Sequence, residues 1–332
     1  MIYMGIDVSK HKLDCGWIRD PQRGKVKTRV FPNKSDGFQA LLAWACKQTG
    51  AEPGELHFVL EATGVYHEAV AYALVEAGAC VSVVNPAQVR RFAQSEGVRS
   101  KTDRRDSLVL ARFGMARQPR LWQPEPEEIR ALKALINRLS VLEKDIQRER
   151  NRLEKAEIAR QGEEVQASIH TMLEHLEAEH ARLRREIDRH IDNHPQLRED
   201  RKLLKSIAGI GEVMSRMMVV VLRSRDFCSA KALGAYVGLA PVHQQSGTKT
   251  GHASISKAGD GRLRARLYMA TVSAVRHNPI VREHYQRLLQ RGKPKMVALV
   301  ACMRKLLHLC FGVFKHRQEF QPNPLQQRVA SG

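Results

Sequence analysis

The chain is short of acid, of long apolar runs and of ordered cysteine. Its 332 residues hold 35 Asp and Glu against 55 Lys and Arg, a formal charge of +20 with a pI near 10.0. That imbalance points to a polyanionic partner, with nucleic acid as the default. An anionic membrane would answer the same charge, but the apolar runs are too short. Met217 to Leu222 is far below the roughly 20 residues a helix needs to cross. Met296 to Phe314 is broken by Arg304, Lys305 and His308, and no basic-then-apolar signal segment opens the sequence. No membrane partner is expected. The six cysteines are scattered without a Cys-x-x-Cys pair, which argues against a disulfide framework or a structural zinc site. Reduced, mostly buried cysteines in a cytosolic protein are expected instead. Hydrophobic residues make up 43%, enough to build cores for about two domains.

The first part alternates strand and helix signals. Ile2 to Val8 reads as a buried strand, Leu13 to Ile18 and Lys27 to Phe31 as a hairpin around Asp20–Gly24. Ser35 is expected to cap a helix through about Thr49. Strand Leu56 to Leu60, helix Tyr66 to Ala77, strand Cys80 to Val84 and a short helix from Asn85-Pro86 follow. This order predicts a mixed sheet covered by helices, whose strand ends carry the chemistry. Asp7 and Glu61 stand at two such ends. A buried lone carboxylate needs a partner or a metal.

Gly97 to Met115 is the stretch around which the rest is organised. Thr102 is a candidate N-cap, placing Asp103 and Asp106 on the first turns of a helix, three residues apart and on one face. The positive helix end favours ionised carboxylates, which can reach one metal centre. Arg99, Lys101, Arg104, Arg105 and Arg112 crowd around them. Acids wrapped in bases suit a hard cation handling a polyanion. A capped surface helix with salt bridges gives the same pattern, and strand-end carboxylates also serve as caps or ion-pair partners. If the first and fourth strands are neighbours and the last helix packs beside them, Asp7, Glu61, Asp103 and Asp106 would resemble the four-carboxylate arrangement of the ribonuclease-H-like fold in its RuvC-type branch. There, two divalent ions about 4 Å apart clamp the attacking and leaving oxygens of a phosphodiester.

After a linker at Pro124-Glu125-Pro126, Leu132, Leu135, Leu139, Leu142, Ile146 and Leu153 form a heptad seam. Val165, Ile169, Met172, Leu176, Leu183, Ile187 and Ile191 form a looser one beyond Gln161-Gly162. Two long helices are predicted, as an antiparallel hairpin or an intermolecular coiled coil. Further on, Gly209-Ile210-Gly211 suits either a plain helix–helix turn or one that offers backbone N–H groups to a phosphate. A polar, glycine-rich loop from His243 to His252 leads through Lys257 to Arg262, Arg264 and Arg266, cations suited to phosphates. On chemistry alone Ser246 is a turn serine.

The pieces Gly5-Ile6-Asp7-Val8-Ser9-Lys10, Glu61-Ala62-Thr63-Gly64-Val65-Tyr66, Val84-Asn85-Pro86 and Lys101-Thr102-Asp103-Arg104-Arg105-Asp106 resemble the DEDD transposases of the IS-one-ten type, insertion-sequence recombinases guided by a bridge RNA. Gly238-Leu239-Ala240-Pro241, Ser246-Gly247 and Ser256-Lys257-Ala258-Gly259, with Leu263-Arg264 and Leu267-Tyr268-Met269, resemble that family's C-terminal transposase domain. The resemblance implies an α/β plus α architecture. A RuvC-like, ribonuclease-H-like domain over 1–122 would precede a coiled-coil segment over 123–198, a mostly helical transposase domain over 199–322 and a tail over 323–332.

It implies that Asp7, Glu61, Asp103 and Asp106 are catalytic Mg2+ ligands and that Ser246 is the nucleophile, in a site completed by another subunit. The nucleic-acid contacts would include Arg99, Lys101, Arg104, Arg105, Lys249, Lys257, Arg262 and Arg264. The implied partners are donor and target DNA, a guide RNA and further copies of the chain, as a dimer or tetramer, in the bacterial cytoplasm at the nucleoid. A metal-dependent junction nuclease that uses water is the rival, and a tyrosine nucleophile (Tyr66, Tyr236 or Tyr268) is a variant.

Overall fold

A computed structural model describes residues 1–20, 23–62, 64–97, 103–242, 245–246, 249–250, 254–257 and 259–322, with backbone only at 103–104, 245–246 and 249–250. The chain divides into two compact units, Met1–Pro124 and Glu125–Gly332. The first is built on strands β1 (Ile2–Val8), β2 (Lys12–Asp20), β3 (Lys25–Pro32), β4 (Leu56–Glu61) and β5 (Cys80–Val84). They form one mixed sheet in the order β3-β2-β1-β4-β5. β1–β2 and β2–β3 are antiparallel, while β1–β4 and β4–β5 are parallel.

The period of two divides the side chains of this sheet between two layers. Met4, Ile6, Val8, Leu13, Cys15, Phe58 and Leu60 join a core with helices α1 (Ser35–Thr49) and α2 (Glu68–Glu76). The opposite face, with Tyr3 and Val59, packs on α3 (Pro86–Ser95) and α4 (Asp103–Arg117). Asn85 caps α3 by accepting from the Ala87 N–H at 2.8 Å. Ser35 does not cap α1, because it is already its first helical residue and the N-cap is Lys34, without a side-chain bond. Thr102 lies outside the described residues.

The second unit begins with α5 (Glu127–Ile158) and α6 (Glu163–Asn193). They run antiparallel: His190 Nε2 meets the Glu128 carbonyl at 2.8 Å, and Arg150 pairs with Glu177 at 2.6 Å. The pair is therefore a hairpin within one chain. Its seam departs from the predicted one. Leu173 is buried, while Met172 and Val165 are exposed. The heptad runs through Leu173, Leu176 and His180, and the polar His180 at a seam slot hides the register in the sequence.

Ile129, Leu132, Ile187 and Ile191, at the base of the hairpin, share one core with the later helices. These are α7 (Pro195–Lys205), α8 (Glu212–Arg223), α9 (Ala230–Tyr236), α10 (Gly261–His277), α11 (Pro279–Gln290) and α12 (Lys295–His316). Two-residue strands lie between α9 and α10: β6 (Pro241–Val242), β7 (Gln245–Ser246), β8 (Lys249–Thr250) and β9 (Ser254–Ile255). By length and composition α12 could cross a membrane. Here Cys302, Leu306, Leu307 and Cys310 of that helix are buried in the shared core, which explains its hydropathy.

Asp200 is wholly buried and receives Arg223 at 2.6 Å together with Arg317, so its charge is compensated. Gly209, at φ +103, packs so closely on α10 that an added Cβ would stand 2.5 Å from Ala274 Cβ. The Gly-Ile-Gly turn thus has a packing function of its own.

Candidate functional site

Asp7 and Glu61 are brought side by side. The parallel register pairs Ile6 with Leu60, and each carboxylate residue is the next one along, at the carboxyl ends of β1 and β4. Ile6 and Leu60 enter the α1/α2 core, so Asp7 and Glu61 belong to the opposite face, which α4 covers. Asp14 is directly across from Asp7 on β2 and shares that face. It is buried and held by Lys12 at 3.2 Å. Asp14 was not singled out in the sequence, because its hairpin position becomes visible only from the register.

The height of α4 over the sheet follows from three glycines. A Cβ on Gly5 would stand 1.9 Å from the Ser107 carbonyl oxygen and 2.6 Å from Ala111 N. One on Gly16 would meet Ser107 Oγ at 2.8 Å, and one on Gly114 would meet Tyr3 Cδ1 at 2.7 Å. The helix therefore lies almost backbone to backbone on β1, antiparallel to it, with Gly114 over Tyr3 and Ser107–Ala111 over Gly5. From Tyr3 to Asp7 the strand rises roughly 13 Å at ~3.3 Å per residue. At ~1.5 Å per residue, a helix covers that distance in about nine residues, from Gly114 back to about position 105. The first turns of α4, with Asp103 and Asp106, thus come level with Asp7 and Glu61.

These oxygens are the hard donors a divalent cation takes, and the end of α4 that meets them is the positive end of its dipole. Among the described residues no group of three His, Cys, Asp or Glu is close enough to hold an ion. The side chain of Asp103 lies outside that description. Asp7, Glu61 and Asp106 are among the residues that description covers, so these three are not gathered closely enough for one ion; what fits a metal is their donor chemistry and their shared end of the sheet.

In the second unit Ser246 is the last residue of β7, paired with Lys249 of β8. The predicted loop therefore carries a short antiparallel strand pair at this point. Lys257 is exposed with a left-handed backbone, φ 54, and its N–H bonds the Gly238 carbonyl at 3.1 Å. Arg262 donates to Asn137 at 3.1 Å. Arg264 donates to the backbone carbonyls of Gly259 at 2.6 Å and Val237 at 3.1 Å, which fixes the segment before α10. Arg105 is exposed. Arg99 and Lys101, and the side chains of Arg104, Ser246 and Lys249, lie outside the described residues.

Residues 4–156 match a DEDD-type IS110 family model described as "Transposase", and residues 201–286 match one described as "Transposase IS116/IS110/IS902 family". The pilin gene-inverting protein of Moraxella bovis is 32% identical over 321 residues, 96% of this chain and 97% of that one. A protein of insertion element IS110 from Streptomyces coelicolor is 26% identical over 114 residues, 34% of this chain and 28% of that one. A solved structure of T. thermophilus RuvC in complex with Holliday junction substrate aligns with 37% of this chain and 100% of its own, at 16% identity and a TM-score of 0.28. At that score the likeness carries no argument. Two matched family models and a relative 32% identical over nearly the whole of both chains settle the assignment: this chain belongs to the IS110 family of transposases.

Proposed function

We propose that this transposase cuts and rejoins DNA by serine chemistry, with Asp7, Glu61, Asp103 and Asp106 as Mg2+ ligands of a RuvC-like domain and Ser246 as nucleophile. The observation that carries the reading is the placement of α4. Its acidic first turns come level with the carboxyl ends of β1 and β4, on the face shared by Asp7 and Glu61. A divalent ion bound there would supply the electrophile that offsets charge on the phosphate oxygens. The chain's own part would be to hold ionised oxygens at the positive end of α4 and to supply the Ser246 hydroxyl as nucleophile.

The serine oxygen attacks phosphorus and loses its proton, and the bond from phosphorus to a DNA oxygen breaks. That oxygen leaves as a hydroxyl, and a phosphoserine diester remains. Attack by the hydroxyl of another strand end reverses the step and frees the serine, so no outside energy source is needed. A bridge RNA would select donor and target, with the protein gripping backbones. Exposed Val141, Ile158, Val165 and Met172 on the hairpin support assembly into a dimer or tetramer through it.

The test is a covalent adduct. Protein co-expressed with the DNA flanking its element is mixed with labelled junction DNA and magnesium, then denatured. Label that migrates with the wild-type protein and not with Ser246→Ala is the expected result. Cleavage without an adduct in either would replace the serine with water. Asp103→Asn is expected to keep nucleic-acid binding and lose cleavage. Retained cleavage would remove Asp103 from the site.

A further inference from the structure

A groove of about 580 Å³ lies between α3 and the C-terminal end of α4 in the first unit. Arg91 of α3, Arg117 of α4 and Arg120 just beyond line it, and none of its eight lining residues is acidic. All three arginines are exposed, and none of their guanidinium groups has an ion pair or hydrogen bond among the described residues. A cation at a helix C-terminus complements the dipole, which accounts for Arg117 alone. It does not account for two more unpaired cations converging on the same groove.

The walls are rigid. Phe92 and Phe113 are buried below it, edge to face with centroids 5.4 Å apart. Arg120 is carried on a pinned segment: Ser82 Oγ lies 2.8 Å from the Arg120 carbonyl and 3.1 Å from that of Pro119, and buried His57 bonds the same hydroxyl at 2.7 Å. Trp122 N–H adds a bond to the Val81 carbonyl at 2.7 Å.

We infer that this groove binds the phosphodiester backbone of a nucleic-acid strand, with Arg91, Arg117 and Arg120 on successive phosphates. Unpaired guanidinium forks match phosphate geometry and need no base identity. Arg117 is eleven residues from Asp106 on one straight helix, roughly 16 Å. That distance corresponds to about five steps of a duplex at ~3.4 Å each. The groove would thus grip a strand about five nucleotides from the bond to be cut. This placement rests on the proposed role of the carboxylates, whereas the phosphate site itself does not.

The experiment measures binding of the full chain to labelled duplex DNA, single-stranded DNA and RNA of equal length by fluorescence anisotropy across a salt series. For Arg91→Ala/Arg117→Ala/Arg120→Ala, the slope of log affinity against log salt should flatten by about 2.7 on duplex or about 2 on a single strand. The probe that shows this identifies the occupant. The single variants should each account for about a third of it, and they replace the triple one if it fails to fold. Lysine at the three positions should restore most of the slope. Arg148→Ala/Arg152→Ala/Arg182→Ala, whose guanidinium groups are already engaged with Asp145, Glu149 and Glu179, is the control. An unchanged slope in the groove variant, or an equal loss in the control, overturns the site while leaving the nucleic-acid function standing. A flat salt response in the wild type on all three probes overturns both.

Discussion

At the scale of single residues, Gly5 decides whether the acidic end of α4 can meet the sheet. Any Cβ there collides with helix backbone rather than with the tip of a flexible side chain. Gly5→Ala should therefore lift α4, at about 3 kcal/mol or more, the upper end of overpacking costs. Denaturant unfolding checks the stability, and cleavage should fall with it; a loss under about 1 kcal/mol would mean the helix can shift freely. His57 gives a pH signature. Burial holds its imidazole below the usual range, so the unfolded chain binds the proton more readily. Its contribution is complete above the unfolded value of about pH 6.5 and is lost progressively below it, as pH falls through the lower folded value. Stability should drop on acidification from pH 7 toward 5, and His57→Gln should flatten that slope in paired denaturant titrations. Asp7 and Glu61 were legible as residues because strand-end carboxylates stand out against apolar neighbours. Asp14 was not, since only the β1–β2 register shows that it faces Asp7.

At the scale of elements, the first unit was almost fully legible. Its strands run five to nine residues; β1, β4 and β5 are largely apolar runs, and β2 and β3 flank the turn at Asp20–Gly24, the pattern that period and punctuation reveal best. The height of α4 on the sheet was not, because it depends on Gly5, Gly16 and Gly114, whose close approach has no periodic signature. The α6 seam failed for a different reason. A slot filled by His180 broke the apolar repeat, and an exposed methionine one residue from a buried leucine took the place in the count. This difference is measurable. Leu173→Ala removes a buried side chain and should cost about 2–5 kcal/mol. Met172→Ala, at an exposed position, should stay within about 0.5 kcal/mol. Equal losses would show that the hairpin buries Met172 in the assembled protein, and that result would implicate this face in oligomerisation.

At the scale of the whole molecule, the two units have separate hydrophobic cores, and the protein carries a built-in way to tell them apart. All three tryptophans, Trp17, Trp44 and Trp122, fall in Met1–Pro124. The long helices fall in Glu125–Gly332, so far-UV circular dichroism is weighted toward that unit. Thermal unfolding followed by the two signals should give two midpoints rather than one. Magnesium then tests the carboxylate site without any DNA. A ligand at a hundred times its Kd stabilises the state that binds it by about 2.7 kcal/mol. For a domain near this size that shifts the midpoint by roughly 5–15 °C. The tryptophan midpoint should rise with magnesium and the dichroism midpoint should not. Asp7→Asn and Asp106→Asn should each abolish the rise, since each removes one of the proposed donors. A rise that survives both substitutions would place the cation elsewhere, and the acidic end of α4 would then be an ordinary helix start, its aspartates complementing the dipole.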